Sequence, residues 1–220
     1  MEDSLENENE RGHGPPPTLP GFEHVNRYWD PVHVMFAAKI LPGEFYFTTA
    51  NEMIVTVLGS CISACVRDPI AGVGGMNHFM LPSSLHDSHG SWEGGGDKDY
   101  SLRYGDFAMK RLINEIMKNG GRRESMEVKI FGGGRILEQM TDVGGRNIDF
   151  VREYIRTSGL LLLNEDIGGI YPRKVYYFPG DGKVRVKKLR TLHNNTIIDR
   201  EIAYRQELER LTAKEGIGQS

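Results

Sequence analysis

The feature that most constrains the fold is a succession of short β-rich runs between Val34 and Leu81. Turn residues bound these runs, notably Pro42-Gly43 and the stretch Asp68–Gly72, so neighbouring runs are predicted to form hairpins. The five predicted strands are Val34–Leu41, Glu44–Thr48, Met53–Leu58, Cys61–Arg67 and Val73–Leu81. Several strands before the first helix do not fit a doubly wound parallel sheet, in which strands and helices alternate.

Helices and further strands follow in the second half of the chain. Helical periodicity and helix-ending glycines predict helices over Arg103–Lys118, Arg146–Thr157 and Ile198–Ala213. Further strands are predicted over Val128–Phe131, Leu160–Leu163, Lys174–Phe178 and Lys183–Lys188. This order favours an α/β sandwich of the α+β type, with a mixed, largely antiparallel sheet and flanking helices.

The 220 residues are enough for one folded domain with tails. Charged residues and then prolines dominate the first twenty positions, which predicts that residues 1–34 are a mostly disordered tail. In that segment Phe22–Val34 has aromatic residues that we expect to dock on the domain. We therefore expect residues 35–192 to form the domain, and residues 193–220 to form a C-terminal helix and tail.

Composition narrows the class of partner. The net charge of −3 gives no overall basic field, so we expect no nucleic-acid binding. No apolar run approaches the roughly 20 residues that span a bilayer, and the acidic N-terminus is unlike a secretory signal, so we expect no membrane insertion. The two cysteines, Cys61 and Cys65, are too few for a disulfide framework. A reducing cytoplasm, a free thiol and no cofactor are the simplest expectation.

The predicted hairpin of Cys61–Arg67 and Val73–Leu81 brings a thiol close to an imidazole. If Val66 pairs with Val73, antiparallel pairing places His78 opposite Cys61, and a slip of one residue makes the two side chains diagonal neighbours. A cysteine within reach of a histidine is the arrangement that activates a thiol nucleophile.

The chemistry of such a pair explains the neighbouring residue types. A free thiol is mostly protonated at neutral pH, and an imidazole removes its proton and later gives a proton to a leaving group such as ammonia. Gly59 and Ser60 are small, so backbone N–H groups there can approach a substrate oxygen as an oxyanion hole. Two other interpretations stay open: Cys61 as a buried core residue, and Cys61 with Cys65 as a redox pair.

Several stretches together carry a family resemblance. They are Thr56–Cys65, Gly74–Pro82, Arg103–Asp106, Lys129–Gly133, Gly145–Asn147, Asp166–Gly169 and Arg173–Val175. In combination they closely resemble the CheD chemoreceptor glutamine deamidases, over about residues 39–189. The N-terminal tail and the last helix lie outside this resemblance.

The resemblance implies hydrolysis of selected glutamine side chains to glutamate on the cytoplasmic helical domain of methyl-accepting chemotaxis receptors. It implies Cys61 as nucleophile, His78 as base, and a CheC-type phosphatase as a second partner. Some members have a catalytic threonine six positions before the cysteine, where this chain has Val55; Thr56 is the neighbouring candidate. A non-catalytic adaptor that binds receptors or the phosphatase is the alternative, and the intact Cys61 and His78 favour the enzyme.

Three other features have weaker interpretations. Gly132-Gly133-Gly134 follows a strand but lacks the spacing of a phosphate-binding motif, so a tight turn is the better interpretation. His86, Asp87 and His89 lie in a polar loop without a third strong ligand at fixed spacing, so no metal site is predicted. The basic stretch Lys183–Arg190 lacks interleaved aromatic residues and is interpreted as an exposed strand face.

Overall fold

Ten strands and three helices make up the described part of the computed structural model, which covers residues 14–81, 95–136, 142–190 and 195–217. The strands are β1 Asn26–Asp30, β2 Met35–Lys39, β3 Phe45–Thr48, β4 Glu52–Leu58, β5 Ile62–Asp68, β6 Val73–Asn77, β7 Glu127–Gly132, β8 Leu161–Ile167, β9 Arg173–Phe178 and β10 Lys183–Lys188. The helices are α1 Gly95–Lys118, α2 Val143–Thr157 and α3 Asn195–Ile217. None of these helices is long and apolar enough to cross a membrane.

The strands form two five-stranded sheets, in the orders β1-β2-β4-β9-β10 and β3-β6-β5-β7-β8. Only the β2–β4 and β7–β8 pairs among these are parallel, so the predicted α+β fold with mixed, largely antiparallel pairing is confirmed. Helices α1 and α2 pack on the second sheet, which leaves the first sheet to cover its other face.

The prediction of a hairpin around Pro42-Gly43 is wrong. Strand β2 pairs with β1 and β4 in one sheet, whereas β3 pairs with β6 in the other. The chain crosses between the sheets here because Ile40 and Tyr46, on either side of the turn, are both buried in the shared core. A turn between two strands therefore joins two layers in this molecule instead of two neighbours in one sheet.

Part of the segment that we expected to be a mostly disordered tail belongs to the folded body, and the expected docking of its aromatic stretch Phe22–Val34 is confirmed. Strand β1 lies within residues 1–34 and pairs with β2. Phe22 and Val25 are buried, and the Phe22 ring meets the rings of Phe45 and Tyr46 edge-on at 5.2 Å. These apolar contacts are what a mostly disordered tail lacks. Residues 1–13 lie outside the described part of the chain.

Two predicted boundaries differ around the second sheet. The first helix begins at Gly95 and not at Arg103, and β6 ends at Asn77 and not at Leu81. Strand β6 stops because the side chain of Asn77 joins the ladder: its Oδ1 accepts the Ala64 N–H at 2.8 Å. Beyond it only a single bridge joins Ile62 to Phe79.

Candidate active site

The turn Gly59–Cys61 connects β4 of one sheet to β5 of the other, and each of its three carbonyl groups is held. Gly133 N–H donates to the Cys61 carbonyl at 2.8 Å, and Gly134 N–H donates to the Gly59 carbonyl at 2.7 Å. The Ser60 carbonyl accepts from Asn147 Nδ2 at 2.8 Å. The turn is therefore fixed from one side, which leaves its N–H groups for another partner.

The glycine run after β7 is a packing element for this turn. Its N–H groups donate to protein carbonyls, so they do not form a phosphate cradle, in agreement with the predicted turn. Gly132 has φ of 110°, and a Cβ there would lie 2.0 Å from the Cys61 carbonyl oxygen. Only glycine fits both the backbone conformation and the space.

The N–H groups of Gly59–Cys61 converge on one carboxylate, that of Glu201 in α3. Glu201 Oε1 accepts from Gly59 N at 2.8 Å and from Cys61 N at 3.3 Å. Glu201 Oε2 accepts from Ser60 N at 2.9 Å and from Ser60 Oγ at 2.6 Å. Converging donors of this kind can stabilise an oxyanion, which is the role expected for Gly59 and Ser60.

The structure brings Thr56 into contact with His78. Thr56 Oγ1 lies 2.8 Å from His78 Nδ1 and donates its only hydrogen to the Ile40 carbonyl at 2.9 Å. Because that hydrogen is already engaged, Nδ1 must carry a hydrogen and donate it to Thr56. The tautomer of His78 is thereby set, with the lone pair on Nε2. Val55 lies on the opposite face of β4, in a separate small core cluster with Ala37.

His78 is held in this position as a neutral ring. Its backbone is held by Gly43 N–H, which donates to the His78 carbonyl at 2.8 Å, and by the Glu44 carbonyl, which accepts His78 N–H at 2.9 Å. Burial, with the charge of Arg200 as a smaller cause, lowers the pKa of His78 to about 3. Nε2 is buried without a hydrogen-bond partner among the described residues. A buried, unpaired ring nitrogen is available to accept a proton.

Cys61 is a fully buried free thiol. Burial raises the pKa of Cys61 well above its usual value, and the negative charge of the nearby Glu201 carboxylate raises the pKa further. With α3 in this position the thiol is therefore protonated.

The predicted register of the β5–β6 hairpin is wrong by two residues. Val66 pairs with Gly75, not with Val73, because Asp68 closes a tighter turn: its Oδ1 accepts the N–H groups of Ile70 and Ala71 at 2.8 and 3.1 Å. A shift of two keeps every side chain on its predicted face. His78 and Cys61 thus share a face, but His78 lies level with Ser63, one pleat from Cys61.

The redox interpretation of Cys61 and Cys65 is not supported by the geometry. Both thiols are free and buried. Four residues of extended strand separate them by about 13 Å, well beyond the roughly 7 Å limit between the Cα atoms of a disulfide. Burial raises the pKa of Cys65 well above its usual value, which further disfavours a reactive thiolate.

The chain is similar in sequence to known proteins of one family. Residues 80–188 match the family model described as CheD chemotactic sensory transduction. A probable chemoreceptor glutamine deamidase CheD of Halorhodospira halophila is 57% identical over 199 residues, which are 90% of this chain and 91% of the relative. The chain belongs to the CheD family. CheD relatives of the same description in Hahella chejuensis and Saccharophagus degradans are 52% and 46% identical, over 88% and 92% of this chain and 90% and 91% of their own lengths.

Two residues of this CheD site had no role assigned from sequence. Asn147 stood in a motif shared with the CheD family, and the structure gives it a function in packing: it joins the Ser60 carbonyl to the Leu81 N–H, which donates to its Oδ1 at 2.9 Å. Glu201 gave no sequence signal, because it lies 140 residues from Cys61. The last helix was predicted from the sequence, but no part in the site was assigned to it.

No group of three or more His, Cys, Asp or Glu side chains in the described ranges is arranged to hold a metal ion. His86, Asp87 and His89 lie outside those ranges. The basic stretch near the C-terminus of the domain forms the exposed edge strand β10, in which Lys183 pairs with Asp181.

Proposed function

We propose that this chain hydrolyses glutamine side chains of chemoreceptors to glutamate, with Cys61 as the nucleophile and His78 as the base. The observation that carries the proposal is the convergence of the Gly59, Ser60 and Cys61 N–H groups on one carboxylate beside the Cys61 thiol. The printed names of the relatives, chemoreceptor glutamine deamidases, agree with it. Within this proposal the substrate is the cytoplasmic helical domain of the receptor and the reaction takes place in the cytoplasm.

The first half of the reaction forms a thioester. His78 Nε2 takes the proton of the Cys61 thiol as the sulfur attacks the carboxamide carbon of the substrate glutamine. The N–H groups of Gly59–Cys61 hold the oxygen that becomes negative. The C–N bond then breaks, and the imidazolium gives its proton to the nitrogen, which leaves as ammonia.

The second half consumes one water. His78 Nε2 removes a proton from the water, and the hydroxide adds to the thioester carbon. The C–S bond breaks, the thiolate of Cys61 regains the proton from the imidazolium, and the product is a carboxylic acid, which releases its proton to water and leaves as glutamate. The reaction needs no cofactor, because water is the only co-substrate.

Thr56 acts in this scheme as a positioning residue. Its hydroxyl accepts from His78 Nδ1 while it donates to the Ile40 carbonyl. This keeps the lone pair on Nε2, the nitrogen that must face the thiol, and it stabilises the imidazolium that forms twice per cycle.

A receptor fragment tests the proposal. The purified chain is incubated with the cytoplasmic domain of a methyl-accepting receptor, and the masses of receptor peptides are measured by mass spectrometry. Each hydrolysed glutamine gains about 1 Da, since an amide NH2 is replaced by OH. We expect the gain with the wild type and none with Cys61→Ala.

Two outcomes count against the proposal. An equal gain with Cys61→Ala removes Cys61 as nucleophile. Binding of the receptor without any gain favours the alternative, an adaptor that binds receptors or a CheC-type phosphatase. A CheC-type phosphatase added in excess tests the second partner, since we expect it to compete with the receptor and to lower the rate of deamidation.

A further inference from the structure

One face of helix α3 covers the candidate active site. Glu201, Tyr204 and Leu208 are spaced three and four residues apart, so their side chains project from the same side of the helix. Leu208 is buried in the main core cluster, and the Tyr204 hydroxyl contacts that of Tyr104. The helix is thus anchored at several points along this face.

The carboxylate of Glu201 occupies the place that the mechanism assigns to the reacting group. It accepts from all three N–H groups of the turn and from the Ser60 hydroxyl, and its charge lies beside the Cys61 thiol. A glutamate carboxylate is also the product of the proposed reaction. Glu201 therefore binds as a product would, with a protonated thiol beside it.

This arrangement leaves the catalytic pair closed to a substrate. The exposed fraction of Cys61 is 0% and that of His78 is 2%. Arg200 of the same helix also places its charge near His78, where it opposes formation of the imidazolium. A receptor glutamine can reach Cys61 only after α3 has moved away.

We propose that α3 is an internal product mimic, whose Glu201 side chain holds the position of a substrate glutamine and must be displaced by the receptor. The proposal deepens the proposed deamidation at Cys61 and rests on it. Because Glu201 reaches the turn from a helix, the substrate glutamine is also presented from a helix, which packs in the place of α3. A bulky side chain three residues after that glutamine, like Tyr204, and an apolar one seven residues after it, like Leu208, complete the fit.

The Glu201→Gln variant makes this helix a substrate. Its carboxamide then lies where we place the receptor carboxamide, so Cys61 attacks it, ammonia leaves, and water hydrolyses the thioester to return Glu201. Cleavage after lysine releases residues 189–214, and fragmentation of this peptide locates the change. We expect the purified variant to carry glutamate at position 201, about 1 Da heavier than the encoded glutamine.

Two controls accompany this measurement. The double variant with Cys61→Ala must keep glutamine at position 201. Gln206 lies in the same peptide and is exposed, so it must stay glutamine in every variant. Glutamine that persists at position 201, in a preparation whose wild-type counterpart deamidates the receptor, overturns the proposed position of Glu201.

A second measurement tests the closure itself without relying on deamidation. Glu201→Ala loses the hydrogen bonds to the turn, so we expect iodoacetamide to modify Cys61 at least about tenfold faster, equivalent to about 1.4 kcal/mol. Glu207→Ala is the matched control, because Glu207 is an exposed residue of the same helix that pairs with Arg210. A rate for Glu201→Ala equal to that of the wild type overturns closure by α3.

The two measurements separate this proposal from the proposed function. If Cys61 becomes reactive in Glu201→Ala but no variant converts a receptor glutamine, the proposed deamidation is contradicted and the proposed closure by α3 is supported. If the wild type deamidates the receptor while Cys61 reacts equally in both proteins, deamidation stands and closure fails.

Discussion

At the scale of single residues, the central feature is the chain of contacts from the Ile40 carbonyl through Thr56 to His78. The Thr56 hydroxyl has only one hydrogen, and it donates that hydrogen to the Ile40 carbonyl. His78 Nδ1 must therefore carry the proton of the ring. The sequence placed Thr56 beside the position expected for a catalytic threonine, and alternation along a strand left the choice between Val55 and Thr56 open. The contact of Thr56 with His78, which follows a strand of the other sheet, resolves this choice. The pattern of one strand does not show which of its residues meets another strand.

Replacing Thr56 tests its positioning role. Thr56→Val keeps the shape but removes the acceptor for His78 Nδ1, so we expect kcat for receptor deamidation to fall about 100-fold with little change in KM. Thr56→Ser keeps the hydroxyl and is expected to restore most of kcat. Equal losses in both variants, or a change confined to KM, would show that the hydroxyl does not orient the base.

Acid stability tests the buried, neutral state of His78. Its pKa is lowered to about 3, below the unfolded value near 6.5, so only the unfolded chain binds a proton between these values. The free energy of unfolding therefore falls as the pH drops below about 6.5. By this contribution we expect wild type to lose about 2 kcal/mol more than His78→Gln between pH 7.5 and pH 5, measured by urea unfolding. Equal losses would contradict the lowered pKa.

At the scale of elements, the turn Gly59–Cys61 depends on a distant glycine run that holds two of its three carbonyl groups. Apolar runs and turn residues were enough to predict most of the strands, since burial and local conformation decide where a strand forms. The register of the β5–β6 hairpin was beyond that level of reasoning, because hydrogen bonds from the N–H groups of Ile70 and Ala71 to the Asp68 carboxylate set the length of the turn. Pairing is decided by such details, not by the apolar pattern alone.

Two glycines with positive φ allow the cost of a steric clash to be measured apart from the cost of backbone strain. Gly132→Ala puts a Cβ 2.0 Å from the Cys61 carbonyl oxygen, whereas Gly120→Ala meets nothing within 4 Å. Both variants carry the cost of a left-handed conformation, about 1 kcal/mol. We therefore expect the free energy of unfolding, measured in urea, to fall by at least about 2 kcal/mol more in Gly132→Ala than in Gly120→Ala. It should also lose deamidase activity. Similar losses of unfolding free energy in the two variants would show that the turn moves to accommodate the added Cβ without further destabilisation.

At the scale of the whole molecule, the site is assembled from both sheets and from the C-terminal helix. The fold class followed from the order of elements, because several strands precede the first helix. One long-range feature did not: the contact between Glu201 and the turn. Contacts between segments far apart in the sequence leave no local periodicity, so reasoning from one sequence does not reach them.

The N-terminal segment provides a prediction at this scale. Phe22→Ala removes a buried ring that packs against Phe45 and Tyr46, so we expect it to lower the free energy of unfolding by about 3 kcal/mol. His24→Ala, two residues away and exposed, is the matched control and should change it by less than about 0.5 kcal/mol. If the two variants unfold at the same urea concentration, the segment is not part of the cooperative fold.

The most direct test of the central claim is to trap the thioester on Cys61. Hydroxylamine reacts with a thioester in place of water and leaves a hydroxamate, about 16 Da heavier than the original glutamine. With receptor fragment and hydroxylamine, we predict hydroxamate at the glutamines that wild type converts to glutamate, and none with Cys61→Ala. Glutamate that forms without any hydroxamate, or hydroxamate that forms equally with Cys61→Ala, would contradict covalent catalysis by Cys61.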